Sequence, residues 1–180
     1  MFRNLLIIPC LIGFVGTASA QNAKNDKTSP ATGKQQEKTI DYKQKGAPLP
    51  AVKFFTSDGK YLTNETLNND ANLFLMLFNP TCEHCEDMTV KLKEHISLFK
   101  QSNLVLVAGS AMAPYFEYFT NNTRIKDVPA IRLAVDSSNY IEKTFHYRDL
   151  PQINIYNSDR QLLRTFNGSI PMDSLKQYIQ

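Results

Sequence analysis

The chain has 180 residues, and its 20 basic and 17 acidic side chains leave a formal charge of +3. That surplus belongs to the N-terminal tail: from Gly46 onward, 13 basic residues face 14 acidic ones. With no phosphate loop and no basic groove in the sequence, a nucleic-acid-binding face is excluded, and the length suits one domain with appendages.

Residues 1–20 read as a signal peptide rather than part of the fold. Arg3 gives a positive start, Leu5 to Gly16 form an apolar stretch broken by Pro9, and Ala18-Ser19-Ala20 is a small-x-small cleavage signal. The stretch is too short to cross ~30 Å of hydrocarbon as a stable helix. The expectation is therefore an exported, periplasmic protein cleaved after Ala20, with membrane contact only through that segment if it stays uncleaved. Residues 21–45 carry six lysines, three acids and almost no large apolar residue, and read as a disordered linker.

From Gly46 the pattern becomes that of a folded domain, 46–180. Gly46-Ala47-Pro48-Leu49-Pro50 leads into Val52 to Phe55 and Lys60 to Leu62, which flank an Asp58-Gly59 turn as a small hairpin. Thr63 to Leu67 reads as one helical turn capped by Thr63 or Asn64. Leu73 to Phe78 is a continuous apolar run, the mark of a strand buried on both faces. Beyond it Met88, Leu92, Ile96 and Phe99 mark the inner stripe of a helix from Cys82 to about Lys100. Leu104 to Ala108 is a second buried strand, Ala113 to Thr120 an aromatic-rich helix, Ile131 to Val135 a short strand and Tyr140 to Tyr147 another helix. Pro151 precedes an alternating strand, Ile153 to Tyr156; turn residues 157–160 return the chain as Gln161 to Phe166, and Pro171 opens a closing helix. Strands alternating with helices and ending in a hairpin and helix describe an α/β fold, a central mixed sheet flanked by helices.

The chemistry concentrates at the join between the first buried strand and its helix, Asn79-Pro80-Thr81-Cys82-Glu83-His84-Cys85. Of three cysteines, Cys10 leaves with the signal, so Cys82 and Cys85 form the one pair of the mature chain. A helix N-terminus favours thiolate over thiol, and a cysteine three residues on returns to the same face, close enough for a short disulfide. A staple over so short a loop adds only roughly 2 kcal/mol, so the pair reads as a reversible two-electron switch.

The strand, Cys82-Glu83-His84-Cys85, long helix, and Leu150-Pro151 before the last hairpin resemble the exported thioredoxin-like disulfide oxidoreductases of the TlpA/ResA type, over roughly Gly46 to Gln180. The resemblance implies a thioredoxin-like fold with an N-terminal β-hairpin and a βα insertion, and a cis Leu150–Pro151 bond. It implies catalysis by Cys82, Cys85 and Pro151, with Thr81, Glu83 and His84 tuning the pair and the Leu150 backbone binding substrate. It also implies no cofactor beyond the redox-active disulfide and no bound metal. Its partners would be protein disulfide or dithiol substrates and an upstream thiol donor or acceptor, with the kinship favouring a reductase. Two departures stand out: Thr81 replaces the usual aromatic, and Met76 stands where thioredoxins bury an acid. Glu83 and Glu86 are the candidates to substitute for that acid, though both also read as solvated first-turn acids that complement the helix dipole. The alternatives are a copper-binding or metal-delivery module using both thiolates with His84 or His146 (His95 reading as a surface residue), and a protein-binding domain presenting the aromatic run 115–119.

Overall fold

The computed structural model describes residues 40–180; the expected signal peptide and most of the expected linker lie outside the described residues. The last stretch of that linker, residues 40–45, is tied into turns, with the Gln44 N–H donating to the Asp41 carbonyl at 3.2 Å. Gly46 and Ala47 then bond both ways with Leu162, at 2.8 Å each.

Seven strands make one mixed sheet. They are β1 (Lys53–Thr56), β2 (Tyr61–Thr63), β3 (Leu73–Leu77), β4 (Asn103–Gly109), β5 (Ile131–Asp136), β6 (Gln152–Tyr156) and β7 (Leu162–Asn167), in the order β2-β1-β5-β4-β3-β6-β7. β3 is central: it pairs parallel with β4, Leu77 opposite Val107, and antiparallel with β6, Leu77 opposite Gln152. The helices are α1 (Glu83–Glu94), α2 (Phe116–Thr123), α3 (Tyr140–Phe145) and α4 (Met172–Lys176), with 3₁₀ turns at Ile96–Leu98 and Ser110–Tyr115.

Every residue of β3 is buried, because both faces of the sheet are covered. Phe74, Met76 and Phe78 face α1, α2 and α4, packing with Met88, Leu92, Phe119 and Leu175. Leu73, Leu75 and Leu77 face the other way, into a core shared with α3 and the N-terminal segment through Leu49, Leu67, Ile141 and Phe145. Each such leucine taken out of water contributes about 1.5–3 kcal/mol, so this strand anchors the fold before any polar contact is counted.

Three sequence expectations shift. α1 ends at Glu94 rather than near Lys100, yet Phe99 still reaches the core because a 3₁₀ turn carries the chain on over the same face. Thr63 to Leu67 makes the single helical turn expected, Leu67 N–H to Thr63 carbonyl at 2.9 Å, with the Thr63 hydroxyl accepting from the Thr66 N–H at 3.5 Å; Asn64 accepts from the Val52 N–H at 2.8 Å, tying this turn to the segment before β1. The helix read over Tyr140 to Tyr147 stops at Phe145, where His146 turns left-handed at φ 42°. β6 is buried along its whole length, not alternately.

That last difference places polar groups inside. Asn154 Oδ1 accepts from Gln152 Nε2 at 3.1 Å and from Thr165 Oγ1 at 3.0 Å. Tyr156 is fully buried, its hydroxyl has no partner among the described residues, and burial pushes its pKa up. An unpaired buried hydroxyl costs about 1–3 kcal/mol. Tyr156→Phe is therefore expected to stabilise the chain by about 1 kcal/mol, read as a thermal midpoint higher by about 2–4 °C. A lower midpoint would mean that the hydroxyl is satisfied in solution.

Candidate active site

β3 delivers the chain from the middle of the sheet to its end, where Phe78 N–H still bonds the Val107 carbonyl at 3.1 Å. Asn79 then organises the turn. Its Oδ1 accepts from both the Thr81 N–H and the Thr81 hydroxyl, each at 2.9 Å, while its carbonyl accepts from the Cys82 N–H at 3.1 Å. This role was not read from the sequence, although Asn-Pro is a turn signal of the kind that supplies it.

Cys82 is the N-cap of α1, in extended backbone at φ −98° and ψ 117°, and its carbonyl receives the N–H groups of Cys85 (2.9 Å) and Glu86 (3.0 Å). Among the described residues no side chain caps the helix, and the partly exposed Cys82 holds the N-cap position without a capping oxygen. Glu83 and Glu86 lie in the first turn, where acids complement the helix dipole. Glu83, His84 and Thr81 are all exposed around the cysteine tip.

Cys85 is the opposite case, with no exposed surface, set in the core that also holds Met76 and Met88. Burial pushes its thiol well above the ordinary range; the Asn79 backbone N–H opposes that rise, and the Cys82 sulfur adds to it. Its own carbonyl accepts from the buried Thr89 hydroxyl at 2.8 Å, which fixes this turn of α1. The two cysteines are thus one partly exposed sulfur and one buried, unbridged in this structure.

β6 brings the remaining residues to the same end of the sheet. The Leu150–Pro151 peptide bond is cis, and Cys82 Sγ lies 3.9 Å from the Leu150 carbonyl oxygen, across 68 residues of sequence. Thr81, Cys82, Glu83, His84, Cys85, Leu150 and Pro151 are therefore gathered at one edge.

Other candidates fall elsewhere. Glu86 turns to α2, accepting from Asn122 Nδ2 at 3.3 Å. His95 closes α1 with Nδ1 2.9 Å from the Lys91 carbonyl, and His146 is exposed beyond α3. The described residues hold no group of three His, Cys, Asp or Glu side chains arranged to bind a metal ion. The aromatic run divides: Phe119 is buried with its ring 4.6 Å from that of Phe78, whereas Tyr115 and Tyr118 are exposed.

The mixed sheet and its flanking helices have counterparts among solved structures. The fold is thioredoxin-like. The thioredoxin domain of a thiol-disulfide oxidoreductase from Bacteroides vulgatus superposes with a TM-score of 0.65 at 10% identity, over 76% of this chain and 99% of that one. A secreted Mycobacterium tuberculosis disulfide oxidoreductase homologous to Escherichia coli DsbE gives 0.59 at 15% identity, over 71% and 93%. StoA from Bacillus subtilis gives 0.59 at 16% identity, over 74% and 98%. At these identities the likeness is one of fold. No protein-family model matches the chain, and no curated protein does. Disulfide oxidoreductases are thus among the proteins whose fold this domain shares.

Proposed function

We propose that the chain is an exported thiol–disulfide oxidoreductase that exchanges disulfides with protein clients through Cys82 and Cys85, working as a reductase. The observation that carries this reading is the placement of a half-exposed sulfur 3.9 Å from the Leu150 carbonyl, with a second sulfur buried behind it.

In the reduced protein the Cys82 thiolate attacks one sulfur of a client disulfide. The client S–S bond breaks, a mixed disulfide forms on Cys82, and the departing client thiolate takes up a proton. Cys85 then loses its proton and attacks Cys82 Sγ. The Cys82–Cys85 disulfide forms, the second client thiol leaves, and two electrons have passed to the client. An upstream thiol donor reduces the pair again.

Each residue has a part in this cycle. The exposed helix tip presents Cys82, and burial keeps Cys85 protonated until the mixed disulfide has formed beside it. The Leu150 backbone lies beside the sulfur, where an extended client segment can pair with it as an added strand. The exposed imidazole of His84 supports a thiolate when charged, and the carboxylates of Glu83 and Glu86 oppose it. Exposed terms of ~0.5–1 kcal/mol move a two-electron potential by only ~10–20 mV. The reductase direction therefore rests on kinship of fold with the DsbE- and StoA-like neighbours, and Thr81 leaves the approach to Cys82 unshielded by an aromatic ring.

The test is Cys85→Ser. With the resolving thiol gone, mixed disulfides between Cys82 and exported proteins should accumulate and resolve into single proteins on adding dithiothreitol. Recovery of none from periplasmic extracts would sink the exchange reading.

A further inference from the structure

The turn that carries Cys82 is held from one residue. Pro80 is buried and the Phe78 N–H is tied to the Val107 carbonyl at 3.1 Å, so the strand side of the turn is fixed to the sheet. On the other side Thr81 is exposed and Cys82 only partly buried. Asn79 joins the two sides. Its carbonyl accepts from the Cys82 N–H at 3.1 Å, closing a β-turn with Pro80 at the second position, where proline's fixed φ suits it. Its Oδ1 accepts from the Thr81 N–H and the Thr81 hydroxyl at 2.9 Å each, an Asx turn laid over the first that uses both lone pairs of the amide oxygen. Its own backbone N–H meets the buried Cys85 sulfur.

The two half-reactions draw on this brace differently. The first takes place at a partly exposed Cys82 sulfur, which an approaching disulfide reaches whatever the exact pose of the turn. The second requires Cys85 to meet Cys82 Sγ from inside the core. Cys85 is packed among Met76 and Met88, and its carbonyl is held by the Thr89 hydroxyl at 2.8 Å, so Cys82 has to be the sulfur that is brought into line. Fixing reacting atoms in place is what makes such a closure a fast first-order step. Without the Asn79 acceptor the Thr81 peptide is free to rotate, because water serves its exposed donors in many orientations, and Cys82 spends less time over Cys85.

We propose that Asn79 is a positioning residue for the second half-reaction: through Thr81 it holds Cys82 over Cys85 and speeds closure of the disulfide. The inference rests on the exchange reading and adds to it what sets the resolving rate. In the step concerned the Cys85 thiol gives its proton to solvent, its sulfur bonds Cys82 Sγ, and the thiol carried on Cys82 leaves with the electron pair of the broken S–S bond. A disulfide that closes more readily is harder to reduce, so the same brace makes the pair more reducing.

The experiment mixes the full, reduced chain with an aromatic disulfide, dithiobis(nitrobenzoate), which releases one coloured thiolate when Cys82 attacks it and a second when Cys85 closes. The first phase scales with reagent concentration and the second does not, so the two rates separate. Asn79→Ala should slow the second phase about tenfold, the restraint of two ordinary hydrogen bonds, and leave the first within about twofold. Against glutathione its potential should become less negative by about 30 mV, the same tenfold in the equilibrium constant. Asn79→Asp keeps an acceptor for both Thr81 donors and should close within about threefold of the unsubstituted chain. Thr81→Val removes one donor and should close about threefold more slowly, which carries the test if the alanine variant does not fold. Closure by Asn79→Ala within about twofold of the unsubstituted chain, equal slowing of both phases, or no recovery in Asn79→Asp overturns the proposal. Release of a single thiolate by the unsubstituted chain removes the exchange reading beneath it, a result distinct from those three.

Discussion

Cys82→Ser abolishes client reduction and at the same time raises thermal stability. The first half follows from nucleophile chemistry: a serine hydroxyl at this position has no base beside it, so reduction of a protein disulfide with dithiothreitol as donor should fall to the uncatalysed background. The expected loss is on the order of 10³-fold or more, the scale of removing a nucleophile from a catalytic unit. The second half follows from the helix end. α1 begins at a residue with no side-chain cap, and cysteine is a poor substitute for an oxygen acceptor. A serine hydroxyl accepts from the free N–H groups of the first turn, and a good cap is worth about 0.5–2 kcal/mol. Activity and stability therefore move in opposite directions at one atom, as expected where a local rule is broken for the sake of chemistry. The opposite sign of the two effects guards against misreading, because a variant that merely unfolded would lose both. Retention of more than about a tenth of the wild-type rate would show that Cys82 is not the attacking sulfur.

The site was legible because its parts are local. A six-residue apolar run, a cysteine pair and an apolar stripe at helical spacing each report a physical requirement within twenty residues. The buried β3, the α1 start and the position of Pro151 before β6 needed no long-range information. What the sequence hid is non-local. Nothing in Ile153-Asn154-Ile155-Tyr156 tells a strand with one wet face from one covered on both, because Asn154 is buried with its Oδ1 held by Gln152 and Thr165 and its Nδ2 without a partner among the described residues. The placement of β5 between β1 and β4 is likewise a matter of topology. The pairing of Cys82 with Leu150 was reachable only through resemblance, since 68 residues of chain separate them.

Arg160 is the residue whose sequence context was most misleading, and removing it should destabilise the fold by about 3 kcal/mol. Asn157-Ser158-Asp159-Arg160 reads only as turn chemistry, with no sign of a buried arginine. In the structure only 8% of Arg160 is exposed, in left-handed backbone at φ 57°. Its guanidinium donates to the carbonyls of Ala71 (2.9 Å), Asn157 (2.7 Å) and Leu67 (3.1 Å), and to Asn69 Oδ1 (2.7 Å). Asn69 in turn accepts from Asn103 Nδ2 at 2.7 Å, so one side chain joins the β6–β7 turn to the loop before β3 and, through Asn69, to the start of β4. Among the described residues no carboxylate forms an ion pair with it, and burial pulls the arginine pKa down from its ordinary range. The cost of burying the cation is offset by carbonyl acceptors alone. Arg160→Ala removes the donors and leaves the Leu67 and Ala71 carbonyls without partners at a buried site, where each bond to a charged group is worth about 1.5–3 kcal/mol and water recovers part of the loss. At about 2–4 °C per kcal/mol, the thermal midpoint should fall by about 10 °C. Arg160→Lys should lie between, because an ammonium keeps the charge but cannot span carbonyls on two loops with a planar fork. The reactivity of Cys82 toward iodoacetamide in the folded protein should stay unchanged in both variants, since the hub lies at the opposite end of β3 from the cysteine tip. A midpoint drop under about 3 °C for Arg160→Ala would show that water satisfies these carbonyls as well as the guanidinium does.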